Sequence, residues 1–548
     1  MTITILAPLL CGLVLTFVIE ALLRPPVAPF WRRPPSTLAV HLGSECLLFA
    51  LFLLLLQRPW FAVAFIASLQ LVVVQASNTK SATLKEPFIC QDFEYFLDAV
   101  KHPRLYVPFF GIGLAVAASS AGALAIAGFL WLEPSLLSRQ GPAALLPPAG
   151  LLLIAAALLL PGLKHLPPCR LAPQADLHRL GLFAALWAYG RLALRALPEA
   201  SRVTAFATPA TPPPAPERLP HLVVVQSESF FDPREWHAGL ADAPIAGGLL
   251  PHFDALRRDA LMQGPLQVPA WGANTVRTEA AVLTGLTPEA LGIHRFTPYR
   301  QFTRGPVASL ASRLRGLGYR TVCLHPYPAS FYLRHQVMPQ LGFDDFLDSR
   351  HFRDADRDGQ YISDAAVTKK VGTLLDDSDN KPLFVFAITM ENHGPLHLER
   401  PVPEDSPRLP EATARHLEAA DLADLRVYLR HLRNADAMLG RLRERLTPSS
   451  PEARPGMLCW YGDHVPILSG VFRRLGEPSG DTCYALWSSR PGVPGAPAMA
   501  KPLAASALGM TTLEALLREA GLPQAGQDAA MGDHNDAVGQ IQSHQEQE

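Results

Sequence analysis

HLVVVQSES, residues 221–229, reads as a β-strand and the turn that leaves it. Leu222–Val225 run without polar alternation, the mark of a strand buried on both faces. Ser227, Glu228 and Ser229 follow, so a carboxylate stands at the strand's carboxyl end. Open α/β sheets bind their ligands beyond that end, where a carboxylate is well placed to hold a metal. Similar apolar runs recur at Tyr319–Leu324, Pro382–Thr389 and Met457–Tyr461, with helical patterns between them, one near Leu250–Leu261. This alternation predicts a mainly parallel sheet with helices on both faces. The last run opens onto Tyr461-Gly462-Asp463-His464, whose Asp and His offer an oxygen and an imidazole ligand from one turn.

Upstream, Glu199–Pro220 is Pro-rich and aromatic-poor, with TPATPPPAPERLP at residues 208–220, and reads as a semi-rigid linker. Before it lie five apolar runs, Ile5–Leu23, Leu38–Leu56, Trp60–Gln75, Val107–Leu132 and Ala143–Leu163. Most approach the ~20 residues that cross a bilayer core. The first lacks a basic leading segment and is followed by further runs, so it is not a cleavable signal peptide. Only Gln57, Arg58 and Pro59 separate the second run from the third, which predicts a tight helical hairpin. The expected organisation is a polytopic α-helical membrane domain of about five helices over 1–165 and a membrane-proximal segment with linker over 166–220. An α/β domain then occupies 221–525, and a disordered, Gln- and Asp-rich tail 526–548.

Positive charge gathers at Arg24, Arg32 and Arg33, at Lys80, Lys85, Lys101 and Arg104, and at Lys164, Arg170 and Arg179. The positive-inside rule puts these stretches in the cytoplasm. Five spans would leave the C-terminal domain inside as well, whereas a sixth short membrane-embedded segment around Leu180–Gly190 would put it outside. Charge counting leaves both topologies open.

Composition removes other classes. Lys+Arg 48 against Asp+Glu 49 gives a net charge of −1, without the basic excess of a nucleic-acid binder. Hydrophobic residues reach 49% and charged residues only 18%, which argues against a wholly soluble protein. Seven cysteines with no CxxC pair exclude a disulfide scaffold or zinc ribbon, and Cys11, Cys46, Cys323 and Cys459, in apolar runs, are expected to be buried free thiols. Asp354, Asp356, Asp358 and Gly359 imitate a calcium loop, but Ala365 stands where its closing glutamate belongs. The charged pattern from Thr413 to Leu446 predicts a solvated covering helix. No C/S-x-P-x-R sulfatase motif, GxGxxG or P-loop occurs.

GANTVRTEAAVLTG, residues 272–285, places small residues before Thr275 and a helical pattern after it. Locally, Thr275 or Asn274 reads as an N-cap. A nucleophile at that position would instead present its phosphorylated form to the helix N-terminus. Taken with SES at 227–229, HPYPASFYLRHQVM at 325–338, MENHGPLH at 390–397 and YGDHVP at 461–466, the chain resembles the lipoteichoic acid synthase branch of the alkaline phosphatase/sulfatase superfamily. The resemblance spans about Leu222 to Leu517, and KEPFICQDFEYF at 85–96 is similar to a membrane-proximal loop of bacterial relatives.

The resemblance implies an alkaline phosphatase-like C-terminal domain and an inner-membrane, multi-pass protein with its catalytic domain extracytoplasmic. It implies transfer of phosphoglycerol from phosphatidylglycerol to a glycan or polymer acceptor through a covalent phosphothreonine. One divalent metal is implied, Mn²⁺ foremost, with Mg²⁺ or Zn²⁺ as alternatives. Carried over by position, Glu228, Thr275, Asp463 and His464 become the metal shell, with Thr275 also the nucleophile. His325, Arg334 and His393 match positions that contact the phosphate or glycerol, and Tyr332 stands where Gram-positive members have tryptophan. By residue type, Arg334 suits bidentate grip of the equatorial phosphate oxygens, and His393 suits a general acid for the leaving alcohol. A phosphoethanolamine transferase or phosphodiesterase on the same scaffold, and a catalytically silent membrane binding protein, are the alternatives.

Overall fold

The computed structural model describes residues 3–94, 112–207, 219–241, 248–378, 381–402, 407–450, 453–490 and 499–522. The centre of the Pro-rich linker, the cations Lys101 and Arg104, and the tail 526–548 lie outside the described residues. The chain divides into two compact units, Met1–Ala196 and Leu197–Glu548.

The first unit is helical, and the protein is a multi-pass membrane protein. Among the described residues, four stretches are long and apolar enough to cross a bilayer: Ile3–Glu20, Pro35–Leu56, Pro59–Leu84 and Ser120–Lys164. The last, 45 residues long, holds the later part of the helix Ile112–Leu132 and all of the helix Leu146–Lys164. The third apolar run is longer than its composition suggests, because the helix continues past Gln75 to Leu84. Its hairpin with the helix before it turns on Gln57, left-handed at φ 54°, and on Pro59 at the first helical position. Small residues bring Pro35–Leu56 and Leu146–Lys164 together: a Cβ on Gly43 would lie 2.8 Å from Leu159 Cγ. Several polar groups inside the unit are paired, as an apolar setting favours, while Glu45 Oε2 and Gln70 Oε1 are buried without a hydrogen-bond partner. Glu20 holds Arg33 at 2.6 Å and accepts the Leu182 N–H, while Thr16 meets His41 at 3.2 Å. Cys46 is buried, as are Cys323 and Cys459 of the second unit, but Cys11 faces outward from its helix.

The second unit is built on a mixed, mainly parallel sheet. Its main strands are β1 (His221–Ser227), β2 (Met262–Gln267), β3 (Arg320–Leu324), β4 (Asp345–Leu347), β7 (Leu383–Ile388), β8 (Gly456–Gly462) and β9 (Thr482–Ser488). A two-stranded hairpin, β5 (Arg357–Asp358) and β6 (Tyr361–Ile362), stands apart, and β10 (Met499–Ala500) and β11 (Leu503–Ala504) complete the edge. The order is β10-β2-β9-β8-β1-β7-β3-β4, with β11 also on β2. β8, β1, β7, β3 and β4 run parallel, so four strands share their carboxyl ends with β1 or its neighbours.

Successive side chains of the central strands enter opposite cores. Leu222 and Val224 join one apolar cluster, with Phe384, Phe386 and Met457, while Val223 and Val225 join the other, with Val385, Leu458 and Trp460. Helices Thr275–Thr284 and Ala505–Glu519 cover the first face, and Ala419–Leu446 the second. That last helix was expected to be a solvated cover. It does cover, but Tyr428, His431 and Asp436 on it are buried and hydrogen-bonded into the unit, so its inner face is polar as well as apolar.

β2 and β9, which introduce the antiparallel pairs, escape the alternation reading. β2 has the sequence MQGPLQ, and its Gly264 and Pro265 fall where its edge neighbour is broken between β10 and β11. A proline without an N–H is tolerated there, and a Cβ on Gly264, at φ 155°, would lie 2.6 Å from Lys501 O.

Candidate metal centre and phosphoryl site

β3, β7, β1 and β8 deliver His325, Thr389–His393, Ser227–Ser229 and Asp463–His464 to one lip of the sheet. Gly462, which ends β8, lets the β1 exit approach: a Cβ there would lie 1.7 Å from Phe230 O. The Asp463 carboxylate is oriented by backbone, since Oδ1 accepts the N–H groups of Ser229 and His464, both at 2.9 Å. Its Oδ2 is fully buried and has no hydrogen-bond partner. Glu228 is set by its own N–H on Thr389 Oγ1 and receives Ser229 Oγ–H on Oε1, both at 2.9 Å. His464 Nδ1 lies 3.1 Å from Val465 O, so that nitrogen donates and leaves the Nε2 lone pair inward. Nε2 is 3.3 Å from Asp463 Oδ2, 3.7 Å from Glu228 Oε1 and 3.4 Å from Thr275 Oγ1.

Ligand atoms of Glu228, Asp463 and His464 all fall within 4.8 Å of one another, and all three residues are buried. Burial, then the Asp463 charge, pushes the Glu228 carboxyl well above the ordinary carboxylate range. Two carboxylates and an imidazole lone pair converging at a buried point are costly unless a cation lies between them. The orphaned Asp463 oxygen and this donor set therefore fit a divalent metal, and the O/N mixture admits Mn²⁺, Mg²⁺ or Zn²⁺.

Thr275 opens a ten-residue helix, Thr275–Thr284, in which every residue is buried. The N-cap position belongs to Asn274, left-handed at φ 66° and without a side-chain cap bond. Thr275 is the first helical residue, and its hydroxyl turns toward His464 rather than toward its own helix. Thr278 Oγ donates to Asp463 O at 2.8 Å, so it braces the metal loop.

The bidentate fork expected of Arg334 is occupied. Its Nε and Nη2 donate to Glu279 at 2.9 and 2.7 Å, and the pair is buried at 1% and 0% exposure. Tyr299 OH donates to the same carboxylate at 2.6 Å. Arg334 Nη1, buried and without a partner, remains for a ligand, while Tyr332, at φ 54°, lays its ring 5.3 Å from the guanidinium. His325 Nδ1 lies 3.3 Å from Ile388 O, and its Nε2 is buried and unpartnered. Burial, then Arg334, holds His325 well below the usual histidine value, so it is neutral. Both amide atoms of Asn392 are likewise buried without partners. His393 is half-buried, with Nδ1 on Gly394 O at 2.6 Å, and burial lowers its pKa, so it rests as a neutral imidazole ready to accept a proton.

Sequence reading passed over Glu279, Thr389 and Tyr299. Glu279 lay inside the quoted GANTVRTEAAVLTG motif, one helical turn beyond Thr275, and that spacing was the available signal.

A family model described as sulfatase matches residues 220–544. Capsular polysaccharide biosynthesis protein RkpI of Rhizobium meliloti is 32% identical over 268 residues, which is 48% of this chain and 45% of that protein. The match thus spans less than half the length of that relative. Among solved structures, the integral membrane protein lipooligosaccharide phosphoethanolamine transferase A of Neisseria meningitidis aligns at a TM-score of 0.51 and 13% identity, covering 86% of this chain and 87% of that one. It shares the fold, a helical membrane part followed by the α/β domain. Streptococcus pyogenes phosphoglycerol transferase GacH, solved with sn-glycerol-1-phosphate, gives 0.44 at 22% identity over 55% of this chain and 75% of that one.

Proposed function

Because the chain belongs to the sulfatase family, we propose that it is a membrane-bound transferase that moves phosphoglycerol from phosphatidylglycerol to an extracytoplasmic glycan or polymer through a phosphothreonine at Thr275. The observation that carries this reading is the Thr275 hydroxyl, at a helix start and 3.4 Å from His464 Nε2, beside the Glu228 and Asp463 carboxylates. The absence of a C/S-x-P-x-R motif argues against sulfate ester hydrolysis on the same scaffold.

A divalent cation held by Glu228, Asp463, His464 and Thr275 would lower the hydroxyl pKa and offset phosphate charge. In the first displacement Thr275 Oγ bonds to phosphorus, and the bond to the diacylglycerol oxygen breaks. The proton that Thr275 gives up equals the one the leaving oxygen needs. His393, neutral and held at Nδ1, can carry it on Nε2. In the second displacement an acceptor hydroxyl attacks phosphorus, the Thr275 Oγ–P bond breaks, and the acceptor's proton passes by way of His393 to Thr275 Oγ, which restores both groups. Arg334 Nη1 and the Asn392 amide are buried donors that gain partners when a phosphate enters. His325 Nε2 and Asn392 Oδ1 are neutral acceptors, which suit glycerol hydroxyls. The match to a capsular polysaccharide biosynthesis protein supports a surface glycan as acceptor.

Incubation with phosphatidylglycerol or phosphatidylethanolamine vesicles and an acid quench should leave glycerol phosphate on the Thr275 peptide. Phosphoethanolamine there would instead establish the second reading, which the shared fold with a phosphoethanolamine transferase keeps in view. An unmodified Thr275 during demonstrated turnover would sink the nucleophile assignment. The extracytoplasmic side is tested separately: a phosphatase reporter fused near Ala215 should be active and a cytoplasm-dependent reporter dark, and the reverse pattern refutes that placement.

A further inference from the structure

The segment that carries His393 is clamped from the helix Ala419–Leu446. His431 on that helix is fully buried, and both ring nitrogens point at carboxylates: Nδ1 lies 2.8 Å from Glu391 Oε1 and Nε2 lies 2.9 Å from Glu399 Oε2. Both partners are acceptors, so both nitrogens donate and the ring is an imidazolium. Glu391 and Glu399 stand on either side of the His393-Gly394-Pro395 turn. Gly394 O, which receives His393 Nδ1, also receives Tyr361 OH at 3.1 Å, and Gln360 Nε2 reaches Pro395 O at 2.9 Å. Tyr361 packs edge-on to the His393 ring at 5.3 Å.

From this geometry we infer that His431 is a positioning residue for His393: by tying Glu391 and Glu399 to one rigid helix, it holds the turn that aims the His393 ring into the phosphoryl site. The inference rests on the proposed role of His393 as proton carrier and adds the group that orients it.

Other charged groups facing the clamp are consistent with an imidazolium there. Glu391 Oε1 also accepts Asn434 Nδ2, and Glu391 Oε2 accepts the Asp364 N–H at 2.6 Å. Asp358 is held by Arg430 and Asn434 from the same helix, and burial, then Glu391, raises the Asp364 carboxyl well above its ordinary value. Burial alone would lower the His431 pKa, but Glu391 and Glu399 outweigh it and raise it to about 9. An apolar residue of similar size would pack this helix at lower desolvation cost. The imidazolium therefore makes sense as a geometric tie. The tie is intact at neutral pH and is lost as pH rises through about 9.

The test uses the full chain in detergent micelles and reads His393 directly, by mapping its reaction with diethyl pyrocarbonate as a function of pH. In His431→Gln, His393 should react about tenfold faster, because the freed loop opens more often. Its titration midpoint should move up toward the ordinary histidine value. On phosphatidylglycerol vesicles kcat should fall about a hundredfold, the scale of a misaimed catalytic group, with KM and metal content within about twofold. Glu399→Gln keeps the shape and removes one charge; it should shift both readouts in the same direction by less, and it decides the matter if His431→Gln does not fold. A folded variant whose His393 keeps its wild-type reactivity and midpoint overturns the inference. His393 labelling needs no turnover, so failure of the wild-type chain to transfer phosphoglycerol would discard the proposed function and leave this result readable.

Discussion

Thr275→Ala is expected to lose at least about 10⁴-fold in transfer, because no second displacement can begin without the covalent link. The variant should still fold and hold its metal. The hydroxyl contributes one contact, to His464 at 3.4 Å, while Glu228, Asp463 and His464 keep their mutual geometry. Thr278 does not take over, since its hydroxyl is committed to Asp463 O at 2.8 Å. Thr275→Ser retains an oxygen on the same backbone and should recover most of the rate. Turnover on phosphatidylglycerol vesicles together with metal content checks this. An alanine variant within about tenfold of wild type would mean that another group attacks phosphorus.

Asp463→Asn should weaken divalent metal binding by at least about a hundredfold. The two Asp463 oxygens face opposite demands: Oδ1 accepts two backbone N–H groups and Oδ2 points, unpartnered, into the ligand cluster. An amide nitrogen cannot serve on either side, because it would meet donors in one orientation and the cation in the other. The wild-type site should also bind metal less well as pH falls. In the empty site burial and Asp463 favour the protonated Glu228 carboxyl, and binding must expel that proton. Apparent affinity should therefore drop about tenfold for each pH unit over the range in which Glu228 is protonated. Titration calorimetry with Mn²⁺ at several pH values reads both effects. Equal affinity in Asp463→Asn would rule out this cluster as the metal centre.

The sequence by itself determined the elements that depend on neighbouring residues. An unbroken apolar run such as Leu222–Val225 can only be satisfied by burial on both faces, and the polar residues after it mark where the chain leaves the sheet. That logic located Glu228, Asp463 and His464, since a strand's end and its following turn are local facts. Apolar length likewise located the membrane helices. Tertiary structure decided what depends on which strands become neighbours. Ser229 and Asp463, 234 residues apart, meet because β1 pairs with β8. Arg334 spends its fork on Glu279, 55 residues away, rather than on a phosphate, a choice made by the packing of two helices on one face of the sheet. His431 finds Glu391 across 40 residues, on a helix whose charge pattern reads as solvent-facing until the opposite core is assembled beneath it. Periodicity records which side of an element is apolar, but it carries no record of which polar groups meet inside. Those pairings are fixed only when burial removes water and each donor must find the acceptor that the fold has brought within reach.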